Sequence, residues 1–132
     1  MRYLLDTNIV SDLVHNPQGR VTERIKAVGE AQVATSIIVA AELRYGAAKK
    51  DSQRLLAQLE TVLAVLAVLP FASPADAAYG SIRVRLERAG TTIGGNDLLI
   101  AAQALALGLT LVTDNEREFG RIKGLARENW LS

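Results

Sequence analysis

Short apolar runs, at Tyr3-Leu4-Leu5, Gln32-Val33-Ala34, Leu66 to Leu69 and Leu109 to Val112, alternate with stretches of helical periodicity along this chain. Strands that are apolar at successive positions need cover on both faces, and strands that alternate with helices build parallel sheets. The helical stretches carry their own start and stop signals. Asp6-Thr7-Asn8 opens a helix with Ile9-Val10 and Leu13-Val14 at helical spacing, and Asn16-Pro17-Gln18-Gly19 turns the chain. Arg20 to Glu30 carries Val21, Ile25 and Val28 on one face, and Thr35-Ser36 caps a helix from Ile37 to Lys50. Asp51-Ser52 restarts a helix carrying Leu55, Leu59 and Leu63. Ser73-Pro74 reads as a cap followed by proline at the first helical position of a helix to Ala89, which Gly90 ends. After a loop from Thr91 to Gly95, Asn96-Asp97 opens an apolar helix that stops at Gly108. Glu116 to Phe119 forms one helical turn, and Arg127 to Leu131 is a weak closing strand. No repeat or linker divides the 132 residues, so the sequence predicts one α/β domain spanning 1–132.

Composition narrows the chemistry. There is no Cys and one His, His15, which excludes thiol nucleophiles, disulfides, cysteine zinc sites and, within one chain, multi-histidine metal centres. With 15 Lys+Arg against 14 Asp+Glu, the net charge of +1 excludes a strongly basic arm, so any nucleic acid must be held by local patches. Asp6 cuts short any apolar leader, and Leu98 to Val112 is too short to span a bilayer easily, so a cytoplasmic protein is expected.

Catalysis would then rest on carboxylates. Asp6 and Asp114 follow apolar strands, and the carboxyl ends of parallel strands share one edge, where such folds bind ligands. Asp97, at a helix start, can face that edge. Glu42 sits among small apolar neighbours on the helix after Val33. Singly, Asp6 reads as a helix cap, Asp97 as a charge favoured by a helix N-terminus, Asp114 as a turn residue and Glu42 as a solvated helix residue. Together they make a self-repelling cluster that needs a cation. An all-oxygen donor set suits Mg²⁺ or Mn²⁺ rather than zinc or copper. Such an ion can bind a phosphodiester oxygen and acidify water.

Leu4-Leu5-Asp6-Thr7-Asn8, Ser36 through Glu42 ahead of Leu43-Arg44-Tyr45-Gly46-Ala47, Asn96-Asp97-Leu98-Leu99-Ile100-Ala101-Ala102, Leu111-Val112-Thr113-Asp114-Asn115 with Glu118-Phe119, and the closing Glu128-Asn129-Trp130 stand in one order along the whole chain. In this pattern the sequence resembles the PIN-domain ribonucleases, and among them the VapC-type toxins of VapBC toxin–antitoxin modules. The resemblance implies a central parallel sheet of four to five strands with helices on both faces. It implies a metal site of Asp6, Glu42, Asp97 and Asp114, with Glu116 and Glu118 as rivals for the fourth place. Asp6 and Asp97 would ligate Mg²⁺ (or Mn²⁺) directly, with one ion or two left open, and Glu42 would act through water. Thr7, Asn8, Ser36 and Thr113 would orient carboxylates and waters. Also implied are cleavage of a structured RNA such as tRNA or rRNA that halts translation, a homodimer, and a cognate VapB-type antitoxin whose tail enters the acidic groove. Arg44, Arg83, Arg85 and Arg117 are candidate RNA contacts, against the alternative of a solvated helix face. Two other functions compete: a catalytically silent PIN-fold binding module, and a phosphotransferase using Asp6 as nucleophile. The second usually wants another Asp two residues on, where this chain has Asn8.

Overall fold

Tyr3–Leu5 forms β1, whose side chains are all buried. In the computed structural model, which describes residues 1–132, it is the middle strand of a five-stranded parallel sheet. Beside β1 lie β2 (Val33–Ser36) and β4 (Thr110–Val112), with Leu4 in register with both Ala34 and Leu111. The outer strands are β3 (Ala67–Leu69), on β2, and β5 (Arg127–Glu128), on β4, giving the order β3-β2-β1-β4-β5. Between β1 and β2 run α1 (Thr7–His15), α2 (Arg20–Val28) and a 3-10 turn at Glu30–Gln32; α3 (Ile37–Lys49) and α4 (Gln53–Val65) join β2 to β3. The return from β3 to β4 uses α5 (Ala75–Ala89) and α6 (Gly95–Leu107), and α7 (Glu116–Phe119) precedes β5.

The chain steps outward from β1 through β2 to β3, then crosses back to β4 and β5 on the other side. Right-handed crossovers therefore send α1–α4 to one face and α5 and α6 to the other. The two groups pack internally, α1 against α2, α3 and α4, and α5 along α6. The direction reverses between β1 and β4, which leaves a crevice beyond their carboxyl ends. Leu4, Leu5, Leu111 and Val112 are sealed beneath it by Ile9, Val10 and Val39 from one layer and Ile100, Ala101 and Phe119 from the other. At the closing end, buried Trp130 meets Tyr3 edge-on at 5.1 Å and carries the Arg24 guanidinium at 5.4 Å over its ring. No helix is long and apolar enough to cross a membrane.

Several expected boundaries move. The helix from Arg20 stops at Val28 because Gly29, at φ 97°, leaves helical geometry. Thr35 and Ser36 belong to β2, although Ser36 still caps α3. Pro74 is the cap of α5 rather than its first residue; Ala75 N–H closes a turn onto the Ala72 carbonyl at 2.9 Å, so Ser73 caps nothing. Gly94 caps α6 and Gly95 is already helical. The closing strand shrinks from Arg127–Leu131 to Arg127–Glu128, because Asn129 Oδ1 turns back to accept from the Leu131 N–H at 2.9 Å.

Candidate active site

Asp6 leaves the end of β1 and caps α1, with Oδ1 accepting the Thr7 N–H at 2.8 Å. Its Oδ2 accepts the buried Thr113 hydroxyl, from the end of β4, at 2.7 Å. The reversal of strand order brings these two strand ends together. Thr113 Oγ1 also accepts the Asn115 N–H at 3.0 Å, which fixes the rotamer that aims it at Asp6. The next two residues of α1 each reach another acid. Thr7 Oγ1 donates to Glu42 Oε1 at 2.9 Å, and Asn8 Nδ2 donates to Asp114 Oδ1 at 3.0 Å. Three consecutive residues thus bind the carboxyl end of β1 to α3 and to the loop after β4.

Asp97 lies in the first turn of α6 and is half-buried. Its carboxyl is pushed up to about 7 by burial first, then by Glu118 within hydrogen-bonding reach and by the charges of Asp6, Glu118 and Glu42. Burial also raises Asp6, against the pull of hydrogen bonds from Thr113 and Thr7, and the negative charges of Glu42 and Asp114 add to the rise. The acids of α1, α3, α6 and α7 therefore sense one another across the crevice.

Of the three rivals for the fourth acidic place, Glu118 stands against Asp97, with its Oε2 taking the Asn115 Nδ2 donor at 3.2 Å. Asp114 is exposed beside Asn8, on the Asp6 side. Glu116 turns outward to Asn129, at 3.4 Å. Asn115, which grips both Thr113 and Glu118, had no role assigned from sequence; only its place between two acids hinted at one. Ser36 Oγ accepts the Ile38 N–H at 3.0 Å and so starts the helix that carries Glu42; no hydrogen bond joins it to a carboxylate.

The candidate RNA-contact arginines separate in the same way. Arg44 is held by Glu60 through two bonds of 2.8 Å, and Arg83 by Glu87 and the Tyr79 hydroxyl. Arg85 reaches only Ser81 Oγ, at 3.3 Å, and Arg117 is exposed without an ion pair.

All donors facing the crevice are hard oxygens, and their mutual repulsion is what a divalent cation relieves; on chemistry the residues fit such an ion. No group of three or more acidic side chains is arranged here so that one ion meets them all. The fit therefore lies in donor type and charge.

A three-layer α/β domain with clustered carboxylates at the point where its strand order reverses defines the class. The chain belongs to the PIN-domain family, whose model matches residues 3–125, and within it to the VapC ribonucleases. It is 39% identical to the ribonuclease VapC2 of Rickettsia felis over 132 residues, 98% of each chain. It is 36% identical to the tRNA(fMet)-specific endonuclease VapC of Shigella flexneri over 131 residues, again 98% of each. The solved structure of Rickettsia felis VapBC2, bound to a DNA fragment from its promoter, matches with a TM-score of 0.91 at 38% identity, covering 98% of this chain and 99% of that one. PIN-domain ribonucleases generally use a divalent metal.

Proposed function

We infer that this chain is an endoribonuclease, the toxin of a type II toxin–antitoxin module, which hydrolyses phosphodiester bonds of a structured RNA such as tRNA and so halts translation. The observation that supports the chemistry is the half-buried Asp97 carboxyl, raised by burial and by the nearby negative charges of Glu118, Asp6 and Glu42. Mg²⁺ is the proposed ion, with Asp6 and Asp97 as its holders and Glu42, Glu118 and Asp114 around it. When bound it supplies Lewis acidity to a phosphodiester oxygen and lowers the pKa of an attacking water.

The chain's own groups do the positioning. Thr7 and Thr113 each occupy one oxygen of Asp6, and every carboxylate oxygen keeps a further acceptor position free. Thr7 holds Glu42 by Oε1 and leaves Oε2 to orient, or take a proton from, a water. Asn8 steers Asp114 at the outer rim. Neither competing reading accounts for this. Position 8 is an Asn bonded to Asp114, and a silent binding module has no use for crowded acids. The relatives' VapBC assembly supports a VapB-type antitoxin as partner, and homodimerisation and a cytoplasmic site of action complete the proposal.

The test is cleavage of labelled tRNA by the purified protein. Activity is expected with Mg²⁺, none with a chelator, and none in Asp97→Ala that remains folded by circular dichroism. Full activity in chelator would remove the metal-dependent reading.

A further inference from the structure

A cavity of about 250 Å³ opens between the C-terminal half of α5 and the segment after α7. Ile82, Leu86 and Ile122 form its apolar floor, and Arg85, Arg121 and Lys123 stand around it. The chain's ion pairs are Arg24–Glu128, Arg44–Glu60 and Arg83–Glu87, so none of these three cations is neutralised by an acid. Two connections, one along the chain and one through a hydrogen bond, tie the cavity to the acidic crevice. Arg121 follows Glu118 by three residues, no more than about 11 Å between Cα atoms. Its guanidinium also donates to the Thr92 carbonyl at 2.8 Å, in the loop that leads into the helix start bearing Asp97.

We propose that this cavity is a nucleotide subsite of the same RNA strand: a phosphate next along from the cleaved bond meets Arg85, Arg121 and Lys123, and its unstacked base packs on the Ile82–Leu86–Ile122 floor. The inference rests on the ribonuclease reading. A crevice lined by acids repels a polyanion, so the binding energy for RNA must come from cations beside it, and a net charge of +1 requires them to be local. Arg44 and Arg83 are already paired with carboxylates, whereas Arg85, Arg121 and Lys123 stand without an ion pair around one cavity that is joined to the crevice. An apolar floor under a cationic rim suits a base and its phosphate, since RNA is read largely through splayed-out bases and backbone contacts. An acidic peptide would use the rim and leave the floor idle. Arg121, which also holds the Thr92 loop, is best left intact in a test.

Anisotropy of a fluorescein-labelled oligouridylate with Mg²⁺, in the Asp97→Ala background, reads this directly. Arg85→Ala with Lys123→Ala should weaken binding about tenfold or more. It should also flatten the slope of log Kd against log salt by about 0.7, one single-strand phosphate contact. Ala89→Phe, at the cavity wall, should weaken binding without changing that slope. Unchanged affinity and slope in the double variant overturns the proposal, and unchanged affinity in Ala89→Phe overturns the base-packing half. Loss of affinity for a glutamate-rich peptide but not for oligouridylate makes this a protein-docking surface and overturns it too. Cleavage by the otherwise wild-type chain is run alongside. Its absence removes the ribonuclease reading together with this one, whereas cleavage with unchanged binding in the double variant removes the subsite alone.

Discussion

Thr113 is one methyl and one hydroxyl at the end of β4, yet that hydroxyl serves two partners, donating to Asp6 and accepting from the Asn115 N–H. Both bonds are wholly or partly buried, so their loss leaves polar groups without partners. Thr113→Val keeps the shape and removes both bonds. It should cost about 1–3 kcal/mol in urea unfolding, and tRNA cleavage should fall while the fold stays intact. Unchanged stability would mean that water replaces the hydroxyl for both partners.

At the scale of elements, Ser36 and Thr7 separate holding the fold from holding the site. Ser36 caps the helix that carries Glu42, whereas Thr7 touches Glu42 itself. Ser36→Ala should cost about 1 kcal/mol of stability and leave kcat close to wild type; Thr7→Val should do the reverse, with little loss of stability and a large fall in kcat. Equal losses of kcat would refute the division. The same distinction explains what could be read from the sequence. Elements announced by apolar runs, caps and glycine stops were legible, and so were the places of Asp6, where a strand ends, and of Asp97, where a helix begins. Glu118 remained only a rival because it lies on a four-residue helix whose facing direction depends on how the loop after β4 packs. A helix cap and a carboxylate-orienting hydroxyl look alike in sequence, and the cap bond of Ser36 is visible only in the fold. Arg44 meets Glu60 only through the fold, whereas Arg83 pairs with Glu87 one turn on along the same helix, a spacing already present in the sequence.

The whole molecule carries the electrostatic cost of its site. Asp97 binds its proton up to about 7 in the folded chain against 3.8 for an ordinary Asp, so between those values the folded state holds a proton that the unfolded state has released. Its contribution to stability is present in full below 3.8 and is lost as pH rises through about 7. Asp6 shifts in the same direction. Glu60, lowered by Arg44, works in the opposite sense, but only below 4.5. Without a divalent ion the melting temperature should therefore be higher at pH 5.5 than at pH 8, and Asp97→Asn should flatten that dependence. A melting temperature that rises with pH over this range would contradict the arrangement of the acids.

The most direct test is thermal unfolding at pH 7.5 of the wild type, Asp6→Asn and Asp97→Asn, each with and without saturating Mg²⁺. The missing charge at Asp97 relieves repulsion, so metal-free Asp97→Asn should melt above the metal-free wild type, whereas Asp6→Asn sets that relief against one of the two hydrogen bonds Asp6 accepts. Mg²⁺ should raise the wild type and leave the variants nearly unmoved. An Asp97→Asn variant that melts below the wild type without metal, or either variant gaining as much from Mg²⁺ as the wild type does, would show that these acids do not share one ion.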